Sequence, residues 1–277
     1  MTTALITGCS SGIGQAAARR LVEAGLTVYA TARRPESLAP LAAIGCRTLR
    51  LDVEDEQSMV DAVRTVVEAG PLDVLVNNAG YGQYGPIEQV PLAAVRQQFE
   101  TNVFGLTRLC QLVLPGMRVR RSGRIVNVSS MGGRTTLPGG GFYHASKYAV
   151  EAISDALRLE VRPFGIDVSL IEPGIVRTPW SEQAMQHQAG TTDTGEDPYD
   201  RYKQAVADSF ERAYTGALAR LSISADQVAY TIVKAATADR PKPRYLISPM
   251  AKALVAAKRL LPDRAHDALL RQQYRLP

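Results

Sequence analysis

Apolar runs and segments of helical periodicity alternate along most of the chain. ALIT (4–7) is a short apolar run, IGQAAARRLVEAG (13–25) repeats apolar positions at helical spacing and ends in Gly25, and LTVYATA (26–32) is rich in β-formers. One βαβ unit is predicted. The pattern recurs as CRTLRLDV (46–53), a helix over 55–69, LDVLVNNAG (72–80), a long helix over 92–118, RIVNVSS (124–130), a helix over 142–162 and IDVSLIEPG (166–174). Such alternation predicts one α/β domain, a doubly wound parallel sheet with helices on both faces, because right-handed crossovers lay each helix against one side. Residues 177–220 break the rhythm. Their polar stretch QAGTTDTGEDP (188–198) cannot bury enough surface for a core element, so the segment is read as a lid or insertion. A helix over 225–238, a last strand RYLIS (244–248) and a basic amphipathic helix over 250–261 follow. The expected division is a binding and catalytic domain over 1–249 and a helical extension over 250–277.

Composition narrows the class. With 277 residues, 45% apolar and 21% charged, the chain is neither disordered, collagen-like nor a coiled coil. Cys9, Cys46 and Cys110 stand far apart without a CxxC pair, and His144, His187 and His266 are equally scattered. That argues against a disulfide framework or a zinc site and for a reducing compartment. The opening MTTALITGC shows no basic segment followed by a long apolar one, and no apolar run approaches the ~18 residues of a membrane span. The expectation is a cytoplasmic protein without stable membrane insertion. The net charge of +5 is concentrated in 240–277, which carries nine Lys or Arg against two Asp, whereas the first 239 residues carry 23 against 25. A basic tail without interleaved aromatics or a binding motif is read as a solvated face and not as a nucleic-acid site.

In an open parallel sheet, ligands bind beyond the carboxyl ends of the strands. The first predicted strand runs into Thr7-Gly8-Cys9-Ser10-Ser11-Gly12-Ile13-Gly14. Glycines there let the backbone approach a pyrophosphate, and the following helix offers unpaired N–H groups and a positive dipole end. The spacing, GxxxGxG, departs from the GxGxxG fingerprint; position after the first strand gives it weight. The second strand ends Thr31-Ala32-Arg33-Arg34 with no carboxylate before Glu36. An acidic residue at this place bonds a ribose 2′-hydroxyl, while arginine grips a 2′-phosphate, so NADP(H) is expected over NAD(H).

Tyr143-His144-Ala145-Ser146-Lys147 sets a phenol and an ammonium one turn apart on a helix face. A nearby cation favours the phenolate and would let the tyrosine exchange protons near neutral pH. The bare spacing recurs at Tyr199 and Lys203 and at Tyr230 and Lys234. Only Tyr143 opens the helix after the fifth strand, with a hydroxyl, Ser130, at that strand's end. Tyr199 is read as a lid residue, Tyr230 as a core residue, and their lysines as solvated.

These residues together resemble the short-chain dehydrogenase/reductase family, in its common single-domain, Rossmann-type branch. TGxxxGIG matches 7–14, an adenine-side Asp matches Asp52 in LDV with Val53 beside it, NNAG matches Asn77, Asn78, Ala79 and Gly80, and a helix asparagine matches Asn102 in TNVFG. Ser130, Tyr143 and Lys147 match the other catalytic positions, and the PGxxxT segment beside the nicotinamide matches Pro173, Gly174, Val176 and Thr178. The resemblance implies hydride transfer between nicotinamide and a carbonyl or alcohol carbon without metal. It implies Tyr143 as acid or base, Ser130 polarising the same oxygen, Lys147 lowering the tyrosine pKa and holding the ribose, and Asn102 supporting a water path. It also implies a homodimer or homotetramer through the helices over 92–118 and 142–162.

Gly132, Gly133, Leu137, Phe142, Trp180 and Met185 flank the catalytic strand end and the insertion, which suggests an apolar substrate pocket. GCSSGIG, VYATARRPESL and the long tail resemble steroid and retinoid reductases, so a small-molecule ketone or aldehyde of lipophilic character is the expected substrate. Two other readings stand beside this one. An NADP(H)-binding redox sensor would bind nucleotide with little turnover, and the tail helix with Lys252, Lys258 and Arg259 would lie on a membrane surface, a placement to which packing or a subunit contact is preferred.

Overall fold

The computed structural model describes residues 2–178, 197–215 and 222–277. Seven strands form one parallel sheet: β1 (Thr3–Ile6), β2 (Thr27–Ala32), β3 (Arg47–Arg50), β4 (Val74–Asn77), β5 (Gly123–Val128), β6 (Ile166–Glu172) and β9 (Arg244–Leu246). Their order is β3-β2-β1-β4-β5-β6-β9, so the chain reverses direction across the sheet between β1 and β4. That reversal opens the crevice in which doubly wound sheets bind ligands. A separate parallel pair joins β7 (Val176–Arg177) to β8 (Ile223–Ser224).

Strand periodicity divides the core in two. Ala4, Ile6, Val74, Val76, Val126 and Val128 point to one face, where they pack with α1 (Gly12–Glu23) and α8 (Ala225–Thr237). Leu5, Leu75 and Ile125 point to the other, against α3 (Glu56–Glu68), α5 (Leu106–Arg120) and α6 (Gly141–Val161). Each central strand is apolar on both sides because helices cover both faces. A short α2 (Ala39–Ala42) follows β2, and α4 (Leu92–Phe99) leads into α5.

Two features differ from the sequence reading, and a third fills in the helical extension it expected. The helix expected over 92–118 is α4 and α5 joined by a π-helical turn at Glu100–Gly105. The insertion holds a helix of 16 residues, α7 (Asp200–Thr215), whose Val206 and Phe210 pack on the body. The tail continues past α9 (Pro249–Leu260) into α10 (Asp263–Tyr274), whose Leu270 and Tyr274 pack with Val206. The apolar face of α9 is covered: Ala251 and Leu254 pack with Met131 and Leu137, which leaves little of it for a membrane surface. Among the described residues no helix is long and apolar enough to cross a membrane.

The two decoy tyrosine–lysine pairs separate from the catalytic one. Tyr199 donates to Glu88 (2.6 Å), and Lys203, only 15% exposed, pairs with Asp197 (2.5 Å) instead of standing in solvent. Tyr230 is 61% exposed, on the outer side of α8, so it is not a core residue. Helical spacing alone does not say which face is buried.

Candidate active site

A cleft of about 720 Å³ lies over the β1–β4 reversal and gathers most of the residues singled out in the sequence. Gly8, Ser10, Ser11, Gly12, Ile13 and Gly14 form its floor at the start of α1, with Arg33 and Arg34 at the end of β2, Asp52 and Val53 after β3, and Asn78, Ala79 and Gly80 after β4. Ser130, Gly132, Leu137, Tyr143 and Lys147 line the opposite part, closed by Pro173, Gly174, Val176 and Thr178.

The floor is built for close approach. Gly8 has φ +71°, and a Cβ there would stand 2.9 Å from Ala79 Cα. The Ser11 side chain makes no capping bond, so the first-turn amides of α1 face the cleft without a side-chain acceptor. An anion fits that site by both hydrogen bonding and the helix dipole. Thr7 does not line the cleft as expected. It is buried at 1% exposure, and its Oγ1 accepts from the N–H groups of Asn78 and Ala79, both at 3.0 Å. It fastens the β1 and β4 loops together beneath the cradle.

The chemistry lies where β5 ends and α6 begins. Ser130 is extended, and its Oγ accepts from the Gly132 N–H (3.0 Å). The Met131 N–H donates to Pro173 O (2.9 Å), tying this loop to the end of β6. Tyr143 is 8% exposed and hydrogen-bonded to the Ser130 side chain. Its ring lies 5.8 Å from Tyr84 in a stacked pair, and Tyr84 meets Phe210 edge-on at 5.1 Å. Lys147 Nζ is 6.0 Å from the Tyr143 ring centre and donates to Val128 O (2.9 Å).

The protonation states differ from the sequence expectation. Burial raises the Tyr143 pKa to about 12, opposed by the hydrogen bond from Ser130, and no lowering by Lys147 is resolved. Burial also lowers Lys147 to about 8, with the Glu151 charge acting the other way. For this buried phenol, desolvation outweighs the Ser130 hydrogen bond. Tyr143 is therefore a phenol at neutral pH, the form that donates a proton. His144, beside it, has its pKa lowered by burial to about 4 and bonds Gly132 O through Nδ1 (3.1 Å).

Asn102 is not a cleft residue. It sits in the π turn at 1% exposure, donating to Tyr81 O (2.9 Å) and Ser146 Oγ (3.0 Å) and accepting from the Tyr81 N–H (3.0 Å). Its side chain is wholly engaged in holding the β4 loop against α6. Phe142 also does not line the cleft, because one step along α6 from Tyr143 turns it by about 100°. Trp180 and Met185 lie outside the described residues. The sequence reading missed most of the apolar wall: Tyr84, Phe210, Ala213, Met250, Leu254 and Tyr274 come from loops and helices distant in the chain.

The switch-point cleft of this doubly wound sheet ends on a tyrosine, a lysine and a serine. The chain belongs to the short chain dehydrogenase family, whose profile matches residues 2–189. Among curated relatives it is 37% identical over 273 residues to a 3-ketodihydrosphingosine reductase of Bacteroides thetaiotaomicron, covering 98% of this chain and 97% of that one. It is 34% identical over 281 residues to an NADPH-dependent 3-dehydrocapnine reductase of Ornithobacterium rhinotracheale, with 97% and 96% covered. Among solved structures, a short-chain dehydrogenase from Streptomyces avermitilis superposes with a TM-score of 0.79 at 33% identity, covering 99% and 96%.

Proposed function

We propose that the protein is an NADPH-dependent reductase of lipophilic ketones or aldehydes. The observation that carries this reading is the buried Tyr143, hydrogen-bonded to Ser130 in a cleft whose apolar wall includes Tyr84, Phe210, Met250 and Leu254. Nicotinamide, when bound, supplies the hydride. The chain's residues do the rest. Tyr143 donates a proton to the developing alkoxide, Ser130 hydrogen-bonds the same oxygen, and the Lys147 ammonium stabilises the phenolate left behind and holds the nicotinamide ribose. A π turn leaves a carbonyl without its ordinary intrahelical donor. Asn102 lies in such a turn, and a Cβ added at Gly80 would stand 3.0 Å from Asn102 Oδ1 and 3.7 Å from Lys147 Nζ, so the Asn102 main-chain carbonyl is the candidate holder of a water that resupplies the lysine. A screen of NADPH and NADH oxidation with ketones and aldehydes of increasing size tests the reading. Tight nucleotide binding without turnover of any carbonyl favours the sensor instead.

Arg33 and Arg34 stand exposed at the cleft edge, where a 2′-phosphate would meet paired guanidinium donors. Arg33→Asp is expected to weaken NADPH by roughly 10–100-fold, the worth of one charge-assisted pair, and to shift preference toward NADH. Kinetics with both nucleotides check it, and a mutant that still prefers NADPH removes Arg33 from cofactor selection.

Self-association through α4, α5 and α6 is part of the same proposal. Leu92, Phe104, Val119 and Leu159, on these helices and the turn between them, are each more than half exposed, which supports burial against another copy. Light scattering of the purified chain decides it.

A further inference from the structure

Behind the catalytic cluster lies a buried charge network that the proposed reaction does not use directly. Glu151 is 5% exposed on α6, one turn beyond Lys147, and Glu172 is 1% exposed at the end of β6, next to Pro173. Their carboxyl groups are within hydrogen-bonding reach of each other. Arg134, after the Ser130 loop, reaches Glu172 Oε1 at 3.2 Å. Arg244 on β9 places Nε 3.1 Å from Glu172 Oε1 and 3.0 Å from Glu151 Oε2, and its other arm pairs with Asp155, which also holds Arg158. Lys147, one turn earlier on α6, feels the Glu151 charge. The network joins α6, the loop after β5 and the end of β6, which border the site, to β9 at the sheet edge.

One atom is unaccounted for. Glu151 Oε1 is buried without any hydrogen-bond donor. A carboxylate oxygen left so forfeits its hydration, and a second carboxylate beside it adds like-charge repulsion. A single proton on Glu172 meets both costs by donating to that oxygen.

We propose that Glu151 and Glu172 share one proton and, clamped by Arg134 and Arg244, act as positioning residues that set the charge felt by Lys147 and hold the Pro173 loop against the Ser130 loop. The inference rests on the oxidoreductase reading for its effect on Lys147, not for the shared proton. Burial and the Glu151 charge raise Glu172 to about 7. Below that pH the pair carries one negative charge; above it, two, and the added charge keeps the Lys147 ammonium protonated further into the alkaline range. Loss of one proton therefore opposes loss of the other.

Infrared spectroscopy of the intact protein labelled with ¹³C-glutamate tests the shared proton. A protonated-carboxyl stretch is expected at pH 6, disappearing as pH rises through about 7 and absent from Glu172→Gln. Its absence from the wild type at pH 6 overturns the proposal. The pH profile of carbonyl reduction tests the coupling. The alkaline limb near pH 8 set by Lys147 is expected to fall by roughly 0.5–1 unit in Glu151→Gln and by less in Glu172→Gln. Unmoved limbs with lowered Tm overturn it, leaving a structural ion-pair cluster. In Glu172→Gln the new side-chain amide can donate to Glu151 in place of the proton, so this variant serves if Glu151→Gln does not fold. If no carbonyl is reduced by the wild type, the oxidoreductase reading fails while the infrared result still decides the pair.

Discussion

Tyr143→Phe is expected to lower carbonyl reduction by about 10³-fold or more while NADPH binds within a few-fold of wild type. General acid catalysis by a placed side chain contributes roughly 10²–10⁴-fold, and a 10³-fold loss corresponds to about 4 kcal/mol of barrier. The substitution removes one oxygen and keeps the ring, so the stacking on Tyr84 and the edge contact with His144 at 5.4 Å survive. The nucleotide cradle at Gly8–Gly14 and the Arg33 edge lie elsewhere in the cleft, which separates binding from chemistry. Pre-steady-state NADPH oxidation measures the chemistry, nucleotide fluorescence titration the binding. Substantial residual turnover would mean that Ser130 or a water supplies the proton. The pH dependence has a definite sign. Tyr143, raised to about 12, remains a donor throughout the neutral range, while Lys147, lowered to about 8, loses its charge as pH rises through that value. Reduction should therefore fall on the alkaline side.

The alternating strands and the glycine turn are legible because each depends on local pattern: apolar runs at β1, β4 and β5, and a glycine-rich break before α1. The positions of Ser130, Tyr143 and Lys147 follow from their places at consecutive element ends. What escapes is set by tertiary contact. The polar α7 carries Val206, Phe210 and Ala213 at helical spacing, a faint stripe within a charged segment, and α10 carries His266, Leu270 and Tyr274 in the same way. The π turn leaves no mark in the sequence, since Asn102 bonds Tyr81 and Ser146 across the fold. The protonation of Tyr143 escapes for a related reason: a spacing of four shows that two charges are near, but not how much water either has lost.

Gly14→Ala is expected to cost about 1–3 kcal/mol of stability and to weaken nucleotide binding by roughly 10²-fold, an overpacking effect concentrated at the cradle. A Cβ at Gly14 would fall 2.2 Å from Gly8 O and 2.5 Å from Asn78 Nδ2. Neither neighbour can yield cheaply. Gly8 O is backbone, and Asn78 Nδ2 donates to Thr7 O (2.9 Å) and Gly8 O (3.2 Å), the bonds that join the β1 and β4 loops. The first turn of α1 must therefore retreat from β1, carrying its free amides away from where a pyrophosphate would sit. Gly25→Ala is the control. Gly25 has φ +84° with nothing within 4 Å of an added Cβ, so that change strains the backbone by about 1–2 kcal/mol without touching the cleft. Urea denaturation should rank both variants below wild type, whereas NADPH titration should separate them. Equal nucleotide affinity in the two would mean that the start of α1 does not seat the phosphates, and that the cleft holds its ligand by the Arg33 edge and the Ser130 wall alone.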